Sequence, residues 1–221
     1  MFHLIKTRRH IGKVIAAGLA VAVILAALSG SIMSRVAEPK FKQIAVDGNF
    51  EIREYVPVIA AEVEVAGERR QAINAGFRLI AGYIFGGNAP AQKIAMTAPV
   101  TQQRGEKIAM TAPVTQQASG DVWKVRFIIP AGYTLATLPR PNNERVKLIA
   151  IPAKRFVVLR FSGSQKDANV TPQQQKLLDY VRAHHLPTTG EPTLAFYNPP
   201  WTLPFLKRNE VMIELLNRSG A

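Results

Sequence analysis

The chain has 221 residues, a net charge of +13 and no cysteine. Without cysteine there is no disulfide framework, thiol nucleophile, iron–sulfur cluster or zinc finger, so a folded domain must rest on its hydrophobic core. The length accommodates one ordinary domain plus a further segment, and roughly half of the net charge lies in the first 42 residues. The remaining basic residues, such as Lys124, Arg126, Lys147, Lys154 and Arg155, are scattered. No helix collects them into a stripe and no aromatic-plus-basic platform is present, which argues against nucleic acid as a partner.

Residues 1–13, MFHLIKTRRHIGK, carry four Lys/Arg and read as a basic cytoplasmic region. Val14 to Met33 follows with twenty uncharged residues. At about 1.5 Å per helical residue this covers roughly 30 Å, the thickness of a bilayer core. The positive-inside rule then predicts a single-pass membrane segment at 14–33 with the domain facing the periplasm or outside. Two forms stay open: a retained signal anchor, or a signal cleaved after Ala27-Leu28-Ser29, which leaves a secreted or periplasmic domain. Thr7-Arg8-Arg9-His10-Ile11-Gly12-Lys13 also resembles a twin-arginine export signal. Residues 34–43 read as a linker and 44–217 as the domain.

Within the domain, Asn49-Phe-Glu-Ile-Arg-Glu-Tyr-Val-Pro and Val58 to Val65 alternate as strands, broken near Pro57. The period changes at Glu68 to Ile84, where Ile73, Phe77, Ile80 and Ile84 fall on one helical face, and the glycines after Phe85 supply a left-handed C-cap. Residues 93–117, KIAMTAPVTQQRGEKIAMTAPVTQQ, repeat eleven residues across a three-residue spacer. An odd loop, Arg104-Gly105-Glu106, lets the two copies pair as one hairpin, with Pro99 and Pro113 at an edge or bulge. The other reading is a tandem duplication with one copy displaced outward as a loop. Val122 to Ile129, Val146 to Pro152 and Arg155 to Phe161 read as strands. Thr171-Pro172-Gln173-Gln174 has the pattern of a helix start, with Leu177, Leu178, Val181 and His185 along one side. Thr193 to Tyr197 and Val211 to Leu215 are the last strands. The order strand, strand, helix, strand, strand thus occurs twice. It predicts an α+β fold in which two helices pack on an antiparallel sheet, closed or strongly curved.

No Ser-His-Asp order, nucleophile elbow, HExxH or phosphate-cradling glycine loop is present, so no enzymatic activity is expected. His184 and His185 point about 100° apart on a helix and cannot ligate one metal from the same side; they read as a polar helix end, and no dedicated metal site is expected. Arg208-Asn209-Glu210 is a polar cluster expected to fix the preceding loop by ion pair and amide hydrogen bonds. Trp201 and Phe205, in a proline-bent loop, read as caps on the core, a pocket lid or a membrane contact.

KIAMTAPV after a helix ending YIFGGN, together with FEIREY, the FSG at 161–163 and YNPPWTLPFLKRNEV, resembles the SOUL haem-binding protein family over about residues 45–217. The resemblance implies a distorted antiparallel β-barrel with two flanking helices and an internal pseudo-twofold of two ββαββ-like halves. The chain is also similar to effector-binding domains of gyrase-inhibitor-like regulators, which bind assorted hydrophobic ligands. What the family implies is binding of haem or a related tetrapyrrole, without an established reaction; a non-covalent buffer, carrier or sensor is the role expected here. Haem needs an apolar slot and cations for its propionates. The residues expected to form the slot are Ile73, Phe77 and Ile80 on the first helix, with Met96, Met110 and Tyr197 nearby and Arg78 as the cation. Glu54 stands where the resemblance implies an axial histidine, and Asn74 and Gly82 stand where other members carry basic residues. A generic binder of small hydrophobic ligands, or an envelope interaction domain without a ligand, are the alternatives.

Overall fold

The computed structural model describes residues 37–89, 107–109, 111–199 and 201–216. The predicted span at 14–33 lies outside them, and among the described residues no helix is long and apolar enough to cross a membrane. Eleven strands and two α-helices are described: β1 (Phe41–Asp47), β2 (Phe50–Tyr55), β3 (Val58–Ala66), α1 (Arg69–Ile84), β4 (Asn88–Ala89), β5 (Val114–Ser119), β6 (Val122–Ile128), β7 (Arg140–Pro141), β8 (Lys147–Ile151), β9 (Lys154–Phe161), α2 (Asp167–Ala183), β10 (Thr188–Phe196) and β11 (Asn209–Leu215).

Nine strands form one antiparallel sheet in the order β1-β2-β9-β11-β10-β5-β6-β3-β8, and β4 pairs with β7 separately. Apart from β1, this order reads the same from both ends when the units β2-β3-α1-β5-β6 and β8-β9-α2-β10-β11 are exchanged. Each unit gives its first strand away: β2 pairs with β9, and β8 pairs with β3. The bends at Pro57 and Pro152 make this exchange, because proline carries no N–H for continuing a ladder. The units meet where β5 pairs with β10. Among the described residues β1 and β8 end the sheet and do not pair with each other. The expected barrel is therefore an open, strongly curled half-barrel.

Both helices pack on the same face of the sheet. Side chains alternate across a strand, so Val63, Val65, Val125 and Phe127 meet Ala72, Ile80 and Ile84 of α1, while Val157, Leu159, Val211 and Ile213 meet Val170, Leu177 and Val181 of α2. The approach of α1 is close because of Gly76: a Cβ there would lie 2.8 Å from Val125 Cγ2 and 3.0 Å from Val63 Cγ2. Glu68 caps α1 by accepting hydrogen bonds from the Arg70 and Gln71 backbone N–H groups at 3.1 and 3.3 Å.

β1, α2 and the repeat depart from the sequence-based expectation, as does His185. β1 occupies part of the expected linker. It is an exposed edge strand without clean alternation, so periodicity carries no signal for it. α2 begins at Asp167, ahead of the Thr-Pro pattern, with Pro172 inside the helix. Asn169 donates to the carbonyls of Ser162 and Ser164, and Asp167 pairs with Arg69, which fixes the earlier start. His185 does not line α2; it follows the helix in a left-handed conformation, φ 50°.

Among the described residues the second copy of the repeat is not the single strand that the expected hairpin requires: only Val114 to Gln117 of it are strand. Val114 to Gln117 open β5, which has β6 on one side and β10 on the other, leaving no free edge for the first copy. Ile108 and Ala112 sit in separate buried clusters rather than on one face. Pro113, which lacks an N–H, is where the extended pairing starts afresh. The first copy, with Met96, and Met110 of the second lie outside the described residues.

Close packing at Gly76 gives a direct test of α1. Gly76→Val lowers stability in chemical denaturation by roughly 1–3 kcal/mol through overpacking. Gly82→Ala, on the same helix with nothing within 4 Å of its Cβ position, is neutral or stabilising by up to about 1 kcal/mol.

Candidate functional site

Strand β2 carries Glu51, Arg53 and Tyr55 to the face of the sheet away from the helices. Arg53, 1% exposed, makes a two-pronged ion pair with Glu210 of β11, which is 0% exposed. Its Nη1 and Nη2 lie 2.9 and 3.1 Å from the two carboxylate oxygens. Arg53 also donates to Glu51 at 2.8 Å and to the Tyr55 hydroxyl at 3.0 Å. Glu210 in turn accepts from the Tyr197 hydroxyl at 2.6 Å and from Arg208 at 2.9 and 3.0 Å. Arg208 stacks over the Tyr197 ring at 3.8 Å and reaches Glu38 at 3.0 Å. Asn209 beside them donates to the Gly163 carbonyl at 3.0 Å. The stretches FEIREY, YNPP and RNEV thus converge on one buried network, and FSG is held to RNEV through Asn209.

The environment shifts the titrations accordingly. The Arg53 hydrogen bond holds Glu51 below the ordinary carboxylate range. Burial alone works against the Arg53 charge, but hydrogen bonds to Glu51 and Glu210 outweigh it and raise its pKa. Burial, followed by the Glu210 charge, pushes the Tyr55 and Tyr197 phenols upward.

Above this network the curled sheet leaves a cavity of about 320 Å³ on its helix-free face. Every strand of the two exchanged units lends to it. Val58, Ile128, Ile149, Ile151, Phe156 and Met212 give apolar walls, Thr115 and Thr193 line it from β5 and β10, and Tyr55 and Tyr197 connect it to the network below. Two cations line it, each held by a glutamate: Lys154 Nζ lies 2.6 Å from Glu214, and Arg126 pairs with Glu62.

The structure divides the residues expected to form a slot. Tyr197 lines this cavity. Ile73 and Ile80 belong to the α1 core on the other face, Ile80 with no exposure. Phe77 is 41% exposed and tilts against Phe127 with ring centroids 5.4 Å apart. Arg78 is exposed on α1. Glu54 is turned away from the cavity, pairing with Arg155 at 3.2 Å. His184 stacks on Tyr180 at 4.0 Å at the end of α2, the polar helix end expected. Trp201 and Phe205 do not cap the core: they are 64% and 72% exposed. Sequence reasoning missed the cavity because its walls are alternate residues of eight strands. Its one signal was the consecutive apolar runs Phe156–Leu159 of β9 and Val211–Ile213 of β11, where neighbouring positions point to opposite faces and both faces must be covered.

Residues 36–105 and 101–214 match the SOUL heme-binding protein family, and the chain belongs to that family. Among solved structures, the C-terminal domain of EcmrR is similar with 10% identity and a TM-score of 0.52, covering 80% of this chain and 98% of that one. A hydrolase from Listeria innocua is similar at 10% identity and a TM-score of 0.50, covering 78% and 94%. At such identities the likeness concerns the fold. A comparison with curated proteins finds no match.

The network predicts a stability profile with two edges. Raised phenol pKa values give stability that is present below about pH 10 and lost as pH rises beyond it. The lowered Glu51 pKa gives stability present above the ordinary carboxylate value of 4.5 and lost as pH falls. Denaturation across pH measures both edges. Tyr197→Phe makes the alkaline edge shallower and costs roughly 1–3 kcal/mol at neutral pH, having left a buried carboxylate one donor short. Arg53→Met costs more, about 3–5 kcal/mol, by stripping a buried charge of its partner.

Proposed function

We propose that this domain binds haem or a related tetrapyrrole in the cavity on the helix-free face, as a buffer, carrier or sensor rather than as a catalyst. The observation that carries this reading is the cavity itself: apolar walls with cations at two points. Sites for small molecules occupy about 300–1,000 Å³ and combine mostly apolar walls with a few placed polar groups. A cavity of about 320 Å³ is at the small end, and its mostly apolar lining supports an apolar ligand that is partly enclosed. Lys154 and Arg126 are the residues that would hold carboxylate substituents, in competition with Glu214 and Glu62. Membership of a family described as haem-binding supports a tetrapyrrole.

When bound, haem supplies iron-centred ligand or electron chemistry. No imidazole is among the described residues lining the cavity, where Met212 is the soft donor. That observation favours a second reading, a module for flat hydrophobic ligands that does not depend on iron. In both readings the Arg53–Glu210 network holds Tyr55 and Tyr197 in place and so shapes the cavity floor. The uncharged run Val14–Met33 supports a membrane-anchored, exported placement, with the domain facing the periplasm or outside.

The test is titration of residues 35–221 with haemin, following the Soret band. We expect saturable one-to-one binding. Thr115→Phe, which fills the cavity from β5, weakens it by roughly tenfold or more, equivalent to about 1.4 kcal/mol. Phe77→Ala on α1 leaves it unchanged, and Glu54→His leaves the spectrum unchanged because that side chain faces Arg155. Uptake that never saturates discards the haem reading. Weakening by Phe77→Ala with Thr115→Phe silent moves the ligand to the α1 side.

A further inference from the structure

The loop joining β10 to β11 presents Trp201, Leu203, Phe205 and Leu206 to solvent, at 64%, 38%, 72% and 44% exposure. It is not a loose segment. The Gly163 N–H donates to the Pro204 carbonyl at 3.0 Å, Thr202 N–H to Pro199 at 3.1 Å, and Leu206 N–H to Leu203 at 2.9 Å. A 3₁₀ turn at Pro204–Leu206 fixes the side chains outward. Four large apolar groups held away from a core signify a surface with a partner.

Two observations say what that partner is. The first is charge. Leu206 borders a cleft also lined by Arg160, Lys176, His184, Lys207 and Arg208, with Asp47 as its acidic member. Apolar and aromatic groups beside cations are the make-up of a surface that lies on anionic lipid. The second is the path of the chain. Glu38 is tied to Arg208 at 3.0 Å, and Ala37 accepts from the Ala112 N–H at 3.0 Å. The polypeptide therefore enters the domain beside the end of this loop. From Ala37 back to Met33, the last residue of the uncharged run, the chain spans at most roughly 14 Å. A bilayer holding residues 14–33 is thus within reach of the loop.

We propose that the β10–β11 loop docks on the bilayer surface, with Trp201, Leu203 and Phe205 at the boundary between headgroups and acyl chains. Arg160, Lys176 and Lys207 face the lipid phosphates. Tryptophan favours this depth because its ring is apolar and its N–H needs a polar partner. The contact orients the domain against the membrane. The proposal rests on the reading that Val14–Met33 spans the bilayer.

The chain contains two tryptophans, Trp123 and Trp201, which makes it its own probe. The full chain is reconstituted into phosphatidylcholine–phosphatidylglycerol vesicles with brominated acyl chains, then floated on a gradient after a carbonate wash. Flotation reports the anchor, and bromine quenching of tryptophan emission reports the loop. The expected result is co-flotation with quenching in the wild-type chain, absent in Trp201→Phe. A second variant, Phe205→Ser with Leu206→Ser, floats equally and shows weaker quenching and a red-shifted emission. Co-flotation without quenching overturns the docking and leaves the anchor standing, as for a loop that meets a protein. Quenching that persists in Trp201→Phe also overturns it. A chain that stays at the bottom overturns anchor and docking together.

Discussion

A fully buried arginine and a fully buried glutamate, 157 residues apart in sequence, hold the two ends of this domain together. Taking both charges out of water is costly, and the cost is offset only when each has a complete set of partners. Here both do. Arg53 spends its donors on Glu51, Glu210 and Tyr55, and Glu210 receives Arg53, Arg208 and Tyr197. Because β9 lies between β2 and β11, the pair reaches across a strand and admits one register for both neighbours. A one-residue slip of β2 turns Arg53 to the helix side and leaves Glu210 short of a partner. The exchange of β2 into the other half of the fold is therefore locked by charge as well as by the backbone ladder.

The cavity follows from the same architecture. Two helices cover one face of the sheet, and curling concentrates the other face around the β5–β10 junction. Large side chains from eight strands would fill that space if they all pointed to one centre. Thr115, Thr193 and Gln117 at the junction are short or polar, so an opening stays. The α1 side is the reverse case: Gly76 brings the helix against Val63 and Val125, and Ile80 and Ala72 fill what is left.

Much of the fold was legible. Pro57 marked the first bend, the 3.6 period marked α1, and the order of elements occurred twice. Less legible were features set by tertiary partners. α2 starts at Asp167 because Asn169 and Arg69 hold its first turn, which no local pattern announces. The second copy of the repeat looked like a strand throughout, yet only its last part enters β5, since Pro113 and two occupied edges decide the matter. Of the expected slot residues, Tyr197 is at the cavity, while Ile73 and Ile80 form an apolar stripe that serves as core. Periodicity shows that a stripe is buried, and it does not show whether the other side of the boundary is protein or ligand. FEIREY and RNEV were visible as motifs; their meeting point required the third dimension.

In the proposed reading the helix-free face, shaped by the Arg53–Glu210 network, takes the ligand. The paramagnetism of ferric haemin broadens nearby nuclear resonances and reads this directly. With methyl-labelled isoleucine and methionine in residues 35–221, equimolar haemin is predicted to broaden Ile128, Ile149, Ile151 and Met212 and to leave Ile73 and Ile80 sharp. Broadening of Ile73 and Ile80 with the cavity methyls unaffected would contradict the account.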